Sequence, residues 1–182
     1  MLHRKMSLLL FAAALAWPLV SAAARAAVQA PAGQDTILKA ADITPKIFPE
    51  HVFYRGRVAP VQMRNTGGVH FADDFYWLSG LVDVSGYSSG VREKYQGYFL
   101  TEVPLGINGR ALKPGAYGIG FVEGSRFIVT DLGSNNVLEV ATQRDAELKG
   151  PMPLQVLAAQ GGAHRLYVGR DYVTVKRGKQ TG

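Results

Sequence analysis

"LGINGRALKPGAYGIGF", residues 105–121, sets the fold class. Asn108-Gly109 stands between two short runs, Leu105–Ile107 and Arg110–Leu112. Asn and Gly both accept the positive φ angles of a type I′ turn, so the two runs read as a hairpin. Lys113-Pro114-Gly115 turns the chain again. Tyr117, Ile119 and Phe121 then alternate with Gly118 and Gly120. In a strand that spacing gives one bulky face and one face of bare backbone. Glycine weakens a strand, so a close approach is expected on the bare face, by a neighbouring aromatic ring or by a ligand.

Working outward, further extended runs follow the same pattern. They are Val52–Tyr54, Arg57–Met63, Val69–Phe71, Phe75–Val84, Tyr95–Val103, Arg126–Asp131, Val137–Thr142, Leu154–Ala158 and Leu166–Lys176. Gly56 and Pro60 mark a bulge or an edge, Asn65-Thr66-Gly67-Gly68 reads as a turn, and Ala72-Asp73-Asp74 as another. Runs of about five to eight residues recurring roughly every ten predict an all-β domain, an antiparallel β-sandwich or partly closed barrel of about nine to eleven strands. One or two short helices accompany them. Asp35–Ile43 reads as a helical turn or two. Thr142–Lys149 is the second candidate, with Thr142 and Asp145 at capping-box spacing and Gly150 as its stop.

The segment Gly109-Arg110-Ala111-Leu112-Lys113-Pro114-Gly115-Ala116-Tyr117-Gly118 resembles a hairpin found in bacterial exported β-sandwich domains of unknown function. There a glycine turn, a leucine, a Pro-Gly or Ala-Gly pair and a tyrosine introduce a core strand. The resemblance spans about residues 106–121. It implies the sandwich fold and brings no catalytic residue with it.

The N-terminus has its own signature. His3, Arg4 and Lys5 precede the apolar run Leu8–Trp17; Pro18 breaks it, and Ala24-Arg25-Ala26 offers small residues before Ala27. Residues 1–26 read as a Sec-type signal peptide, with an apolar stretch too short to span a bilayer. The expected destination is the periplasm or the medium, with no transmembrane segment after cleavage. Residues 27–45 form a flexible leader carrying the first short helix, 46–177 a single β-domain, and 178–182 a disordered tail. The basic run Lys176-Arg177-Gly178-Lys179 reads as a frayed end. Residues 1–26 carry three cations (Arg4, Lys5, Arg25) and no carboxylate, so the formal net charge falls from +6 to +3 on cleavage. A surplus of that size implies no nucleic-acid partner. The chain has no cysteine, so it has no disulfide, thiolate metal site or lipidated cysteine. An exported domain of this kind must be held by apolar burial and backbone hydrogen bonds.

Three groups of residues offer chemistry. Gly86-Tyr87-Ser88-Ser89-Gly90 matches G-x-S-x-G, and Ser88 precedes Asp131, Asp145 and His164 in the order of α/β-hydrolase triads. That motif needs a strand-to-helix elbow on a parallel sheet. Here the β-rich run Tyr98-Phe99-Leu100-Thr101 follows within a few residues, so the expectation is a serine- and glycine-rich connector. His70, Asp73 and Asp74 gather oxygen and nitrogen ligands, but the spacing suits a hairpin turn and no HxH or HExxH pattern is present. Asp83-Val84-Ser85-Gly86 lacks the alternating acids of a calcium loop. No metal or other cofactor is expected. The third group is aromatic: Tyr76, Trp77, Tyr95 and Tyr98, with Phe75, Phe99, Tyr117, Tyr167 and Tyr172 nearby in the pattern. Most are core candidates; exposed, the first four would stack on sugar rings or grip a peptide. The expected function is a non-enzymatic binding or accessory role for an exported domain, with a glycan or a protein as partner. The alternatives are a carbohydrate- or peptide-binding module using Tyr76, Trp77, Tyr95 and Tyr98, and a small serine hydrolase using Ser88.

Overall fold

The structure, a computed structural model, describes residues 33–179; the signal-peptide segment lies outside the described residues. In chain order the strands are β1 (Thr36–Lys39), β2 (His51–Tyr54), β3 (Arg57–His70), β4 (Tyr76–Val82), β5 (Gly97–Thr101), β6 (Leu105–Ile107) and β7 (Arg110–Leu112). They continue as β8 (Gly115–Val122), β9 (Arg126–Thr130), β10 (Asn136–Ala141), β11 (Gln143–Arg144), β12 (Gln155–Ala158), β13 (Ala163–Val168) and β14 (Asp171–Arg177). Every pairing is antiparallel. One sheet runs β1-β3-β4-β5-β8-β9-β10, with β2 added to β3; the other runs β12-β13-β14-β6-β7, with β11 added to β14. Neither sheet closes on itself, and the fold is a β-sandwich.

The predicted hairpin is present. Asn108 and Gly109 take φ of 45° and 81°, joining β6 to β7. Arg55 and Gly56 (φ 46° and 77°) make the same kind of turn between β2 and β3. Four readings of the sequence are corrected. Residues 65–68 do not turn; they lie inside the fourteen-residue β3, whose register against β4 shifts between Val61 and Thr66. Their glycines serve close packing. A Cβ on Gly68 would stand 2.4 Å from the Trp77 carbonyl oxygen, and one on Gly67 would stand 3.2 Å from the Val156 side chain of the opposite sheet. Asp35–Ile43 is no helix: Thr36–Lys39 pairs with β3 as an edge strand, ahead of the expected start of the domain. Thr142–Lys149 is no helix either. Gln143 and Arg144 pair with Tyr172 and Asp171, and Arg170 donates to the carbonyls of Asp145, Ala146 and Leu148, holding the segment in a turn against β14. Leu166–Lys176 is two strands folded at Gly169 (φ 61°), which helps raise the described strand count to fourteen.

The basic end is also ordered as far as residue 179. Arg177 forms a two-pronged pair with Asp73 (2.5 and 2.7 Å) and lies over the Phe71 ring, and the Gly178 amide donates to the Pro104 carbonyl.

Side chains alternate across the larger sheet, and both of its faces are covered. Trp77, Phe99, Ile119, Phe127 and Leu138 point at the second sheet, meeting Ile107, Leu166, Val173 and Val175 in the intersheet core. Leu78, Val82, Tyr95 and the β2–β3 residues Val52, Tyr54 and Ala59 form a second core on the opposite face. Burying a large apolar side chain is worth about 1.5–3 kcal/mol, so the loops and hairpin of that outer layer are part of the fold. The single helical turn α1 (Ser89–Arg92) contributes Val91 to it.

The bare face of β8 is filled by aromatic rings. Tyr54 and Tyr95 stack at 3.7 Å, and a Cβ on Gly118 would lie 2.5 Å from the first ring and 2.9 Å from the second. The two hydroxyls differ. Tyr54 donates to Thr130 Oγ1 at 2.8 Å, and Thr130 passes the chain on to the Gly118 carbonyl. The buried Tyr95 hydroxyl has no partner, and burial pushes its pKa far above the usual tyrosine value. Tyr95→Phe is therefore expected to leave stability unchanged or raise it by up to about 1 kcal/mol, while Tyr54→Phe lowers it by about 1 kcal/mol. Urea denaturation of the two variants checks this; equal losses would contradict the assignment.

Candidate functional site

The four aromatic candidates do not form a surface. Trp77 is fully buried between the sheets, and Tyr95 is fully buried in the outer core. Tyr76 is half-buried and stacks on His70 at 4.2 Å; Tyr98 is half-buried with its edge against Phe48. A stacking platform needs several exposed rings on one face, and burial leaves no such group among the four. The cause is the second core: a sheet covered on both sides draws its aromatics inward on both sides.

Ser88 stands exposed at the N-terminal end of α1, with extended backbone (φ −64°, ψ 158°) and no capping hydrogen bond from its side chain. The helix the motif requires is one turn long. Gly90 has nothing within 4 Å of a Cβ position, and Gly86 has only Arg57 at 3.9 Å, so neither glycine is there for the tight packing of a nucleophile elbow. His164 is buried on β13 with its ring edge-on to Trp77 (6.5 Å), inside the sandwich. Ser88 belongs to the layer on the other side of the larger sheet. Asp131 is occupied by Asn135, and Asp145 accepts from the Tyr167 hydroxyl. The four residues are not assembled. His70 and Asp74 bond each other at 2.8 Å, and Asp73 faces Arg177, so these side chains serve the β3–β4 turn and the end of β14. No cluster of three potential metal ligands occurs among the described residues.

Burial holds the His164 imidazole below its ordinary pKa of 6.5, with the Asp35 carboxylate opposing the shift. The unfolded chain therefore binds a proton at His164 before the folded chain does. Stability from this residue is complete above about pH 6.5 and is lost as the pH falls from there toward the lower folded value. His164→Leu is expected to flatten the stability profile between pH 6.5 and 5. Equal slopes for both proteins in urea titrations across that range would rule out His164 as the cause.

A groove of about 770 Å³ lies elsewhere among the described residues, lined by residues of β6, β7, β10, β11 and β14 and by the turns beside them. The local sequence explains its form. Gly106 and Gly109 present bare backbone, with no heavy atom within 3.8 Å of either Cβ position. Asn108 bridges the groove: Nδ2 donates to the Ala141 carbonyl (2.7 Å), and Oδ1 accepts the Thr174 amide (2.7 Å). Arg110 and Lys176 both line it, are exposed, and enter no ion pair among the described residues. Glu139 is neutralised by Arg126 at 2.9 Å, and Arg177 by Asp73. The two unpaired charges in the groove are thus both positive. Its lining holds no histidine, serine or aspartate. The signal available in the sequence was the Asn-Gly turn with Arg110 beside it; that β10 and Lys176 would share the groove follows only from the strand order.

No family model matches the chain, and no curated protein or solved structure matches it.

Proposed function

We propose that the protein is an exported, non-catalytic binding domain whose groove between β7, β10 and β14 takes an anionic partner. The observation that carries this reading is that Arg110 and Lys176, both without counter-charges among the described residues, line one groove together with open glycine backbone. Charge of one sign in a concave surface concentrates ligands of the other. Two further features support it. The groove lining gathers no nucleophile–base pair, His164 is buried in the core, Asp131 is held by Asn135 and Asp145 accepts from Tyr167. Residues 1–26 have the composition of an export signal.

Nuclear magnetic resonance titration with dextran sulfate and with poly-glutamate tests the reading. Shifts are expected at residues lining the groove, fading as salt rises, with binding weakened about tenfold when Arg110→Ala and Lys176→Ala are combined. Shifts scattered over the surface, or unchanged in the double variant, would remove the site.

A further inference from the structure

We infer that Asn108-Gly109 is a covalent modification site, a deamidation site that the fold keeps shut, and that conversion there makes unfolding a one-way event. This holds whatever the groove binds. The other asparagines, Asn65, Asn135 and Asn136, precede threonine, asparagine and valine, whose side chains crowd the following amide. Gly109 has no side chain, and nothing lies within 4 Å of its Cβ position. In a chain free to move, the Gly109 nitrogen gives its proton to solvent and attacks Asn108 Cγ. The new N–Cγ bond closes a five-membered imide. The Cγ–Nδ2 bond breaks, and Nδ2 leaves as ammonia with a proton taken from solvent. Water then adds to one imide carbonyl and its C–N bond breaks. Opening at Cγ gives aspartate; opening at the backbone carbonyl carbon gives isoaspartate. Water is the sole co-reactant.

In the folded protein the carboxamide is not free to turn. Nδ2 donates to the Ala141 carbonyl and Oδ1 accepts the Thr174 amide, each at 2.7 Å. The Asn108 amide donates to the Thr174 carbonyl at 2.8 Å, which fixes the backbone as well. Asn108 and Gly109 hold φ of 45° and 81°, the left-handed pair that the β6–β7 turn needs. To meet the Gly109 nitrogen, Cγ must leave both of its partners, so the reaction runs through a local opening. Two hydrogen bonds lost together make that open state about tenfold rarer or more.

The same side chain ties the two layers. Ala141 ends β10 of the larger sheet, and Thr174 lies in β14 of the smaller. Conversion leaves an oxygen where Nδ2 stood. A carboxylate still accepts the Thr174 amide, but it meets the Ala141 carbonyl with a second acceptor and a negative charge. Isoaspartate also adds a methylene to the main chain of a two-residue turn, whose length sets the register of β6 on β7. Neither product restores the link, and with no cysteine in the chain no disulfide replaces it. A molecule that opens, converts and closes again is weakened for good, an irreversible loss through chemistry of the open chain.

The test incubates the purified protein in buffer and in denaturing urea, at one mildly alkaline pH and one temperature, and reads each asparagine by peptide mass mapping. Asn108 is expected to convert first in urea, and about tenfold or more slowly in buffer. Converted protein, separated by charge and refolded, is expected to melt below unconverted protein carried through the same steps. The Asn108→Asp variant is expected to melt lower too; should it fail to fold, the mass maps and the converted natural chain decide without it. Equal rates at Asn108 in buffer and urea overturn the lock. Faster conversion in urea at Asn65, Asn135 or Asn136 overturns the site. Converted protein that melts with the unconverted overturns the tie between the sheets.

Discussion

Trp77→Ala is expected to lower the free energy of unfolding by about 3–5 kcal/mol, the range for removing a fully buried aromatic side chain. The ring has no exposed surface, stacks on Phe99 at a centroid distance of 5.4 Å, and sits where both sheets contribute to one core. Little around it can collapse into the space, because β4 is fixed on one side by β3 and on the other by β5. A loss of that size is a large part of the 5–15 kcal/mol that holds a typical domain together. Trp77→Phe separates volume from polarity. The indole Nε1 is buried without a hydrogen-bond partner, a group that costs about 1–3 kcal/mol to bury. Phenylalanine removes that cost while keeping most of the ring, so the expected loss is under about 1.5 kcal/mol. Urea denaturation followed by far-ultraviolet circular dichroism measures both. A Trp77→Ala loss no greater than that of Trp77→Phe would mean the intersheet core is looser than the packing implies.

The second large effect comes from adding one methyl group. In Gly120→Ala the new Cβ would lie 2.4 Å from the Lys94 carbonyl oxygen and 2.8 Å from its carbonyl carbon; in Gly68→Ala it would lie 2.4 Å from the Trp77 carbonyl oxygen. In each case the nearest obstacle is main chain, which cannot swing aside as a flexible side chain can. Each variant is expected to lose about 1–3 kcal/mol or more, since the strand must separate from its neighbour or the covering loop must lift. Gly90→Ala is the control. It lies in α1 with open space around it, and alanine favours helix over glycine by up to about 1 kcal/mol. Stability should hold or rise. Differential scanning calorimetry of the three proteins gives the ordering; a Gly120→Ala protein as stable as Gly90→Ala would show that Lys94 does not rest on β8. The same control bears on Ser88, because a glycine that tolerates a methyl group is not the packing glycine of a nucleophile elbow.

Glycine shows how far the sequence could be read. At Asn108-Gly109 its role was legible, because a turn-forming partner preceded it and short strand-like runs flanked it. At Gly118 and Gly120 alternation with large residues exposed the bare face, and rings from Tyr54 and Tyr95 and the backbone of Lys94 do approach there. At Gly67-Gly68 the same residue type was misread as a turn. Flexibility and smallness are both properties of glycine, and which one is used depends on a carbonyl some ten residues away in sequence. Thr142–Lys149 failed for a related reason. Its helical signals are local, and the ladder that Gln143 and Arg144 form with Tyr172 and Asp171, distant in sequence, holds the chain extended instead. The strand Tyr76–Val82 hid the second core, since a strand covered on both faces loses the alternation that marks one side as solvent.

The sequence by itself determined the class of fold, through strand-length apolar runs, an Asn-Gly hairpin and the absence of cysteine. These are short-range facts, written in backbone preferences and in the two-residue period of a strand. It also supplied the groove's Arg110 and Lys176, but as isolated cations. Only the tertiary structure decided that Trp77 and Tyr95 are core, that Ser88 and His164 lie on different sides of a sheet, and that β10 ends its sheet beside Arg110. Burial and adjacency arise from contacts between residues tens of positions apart, and pairing order fixes those contacts in a way that no local pattern records.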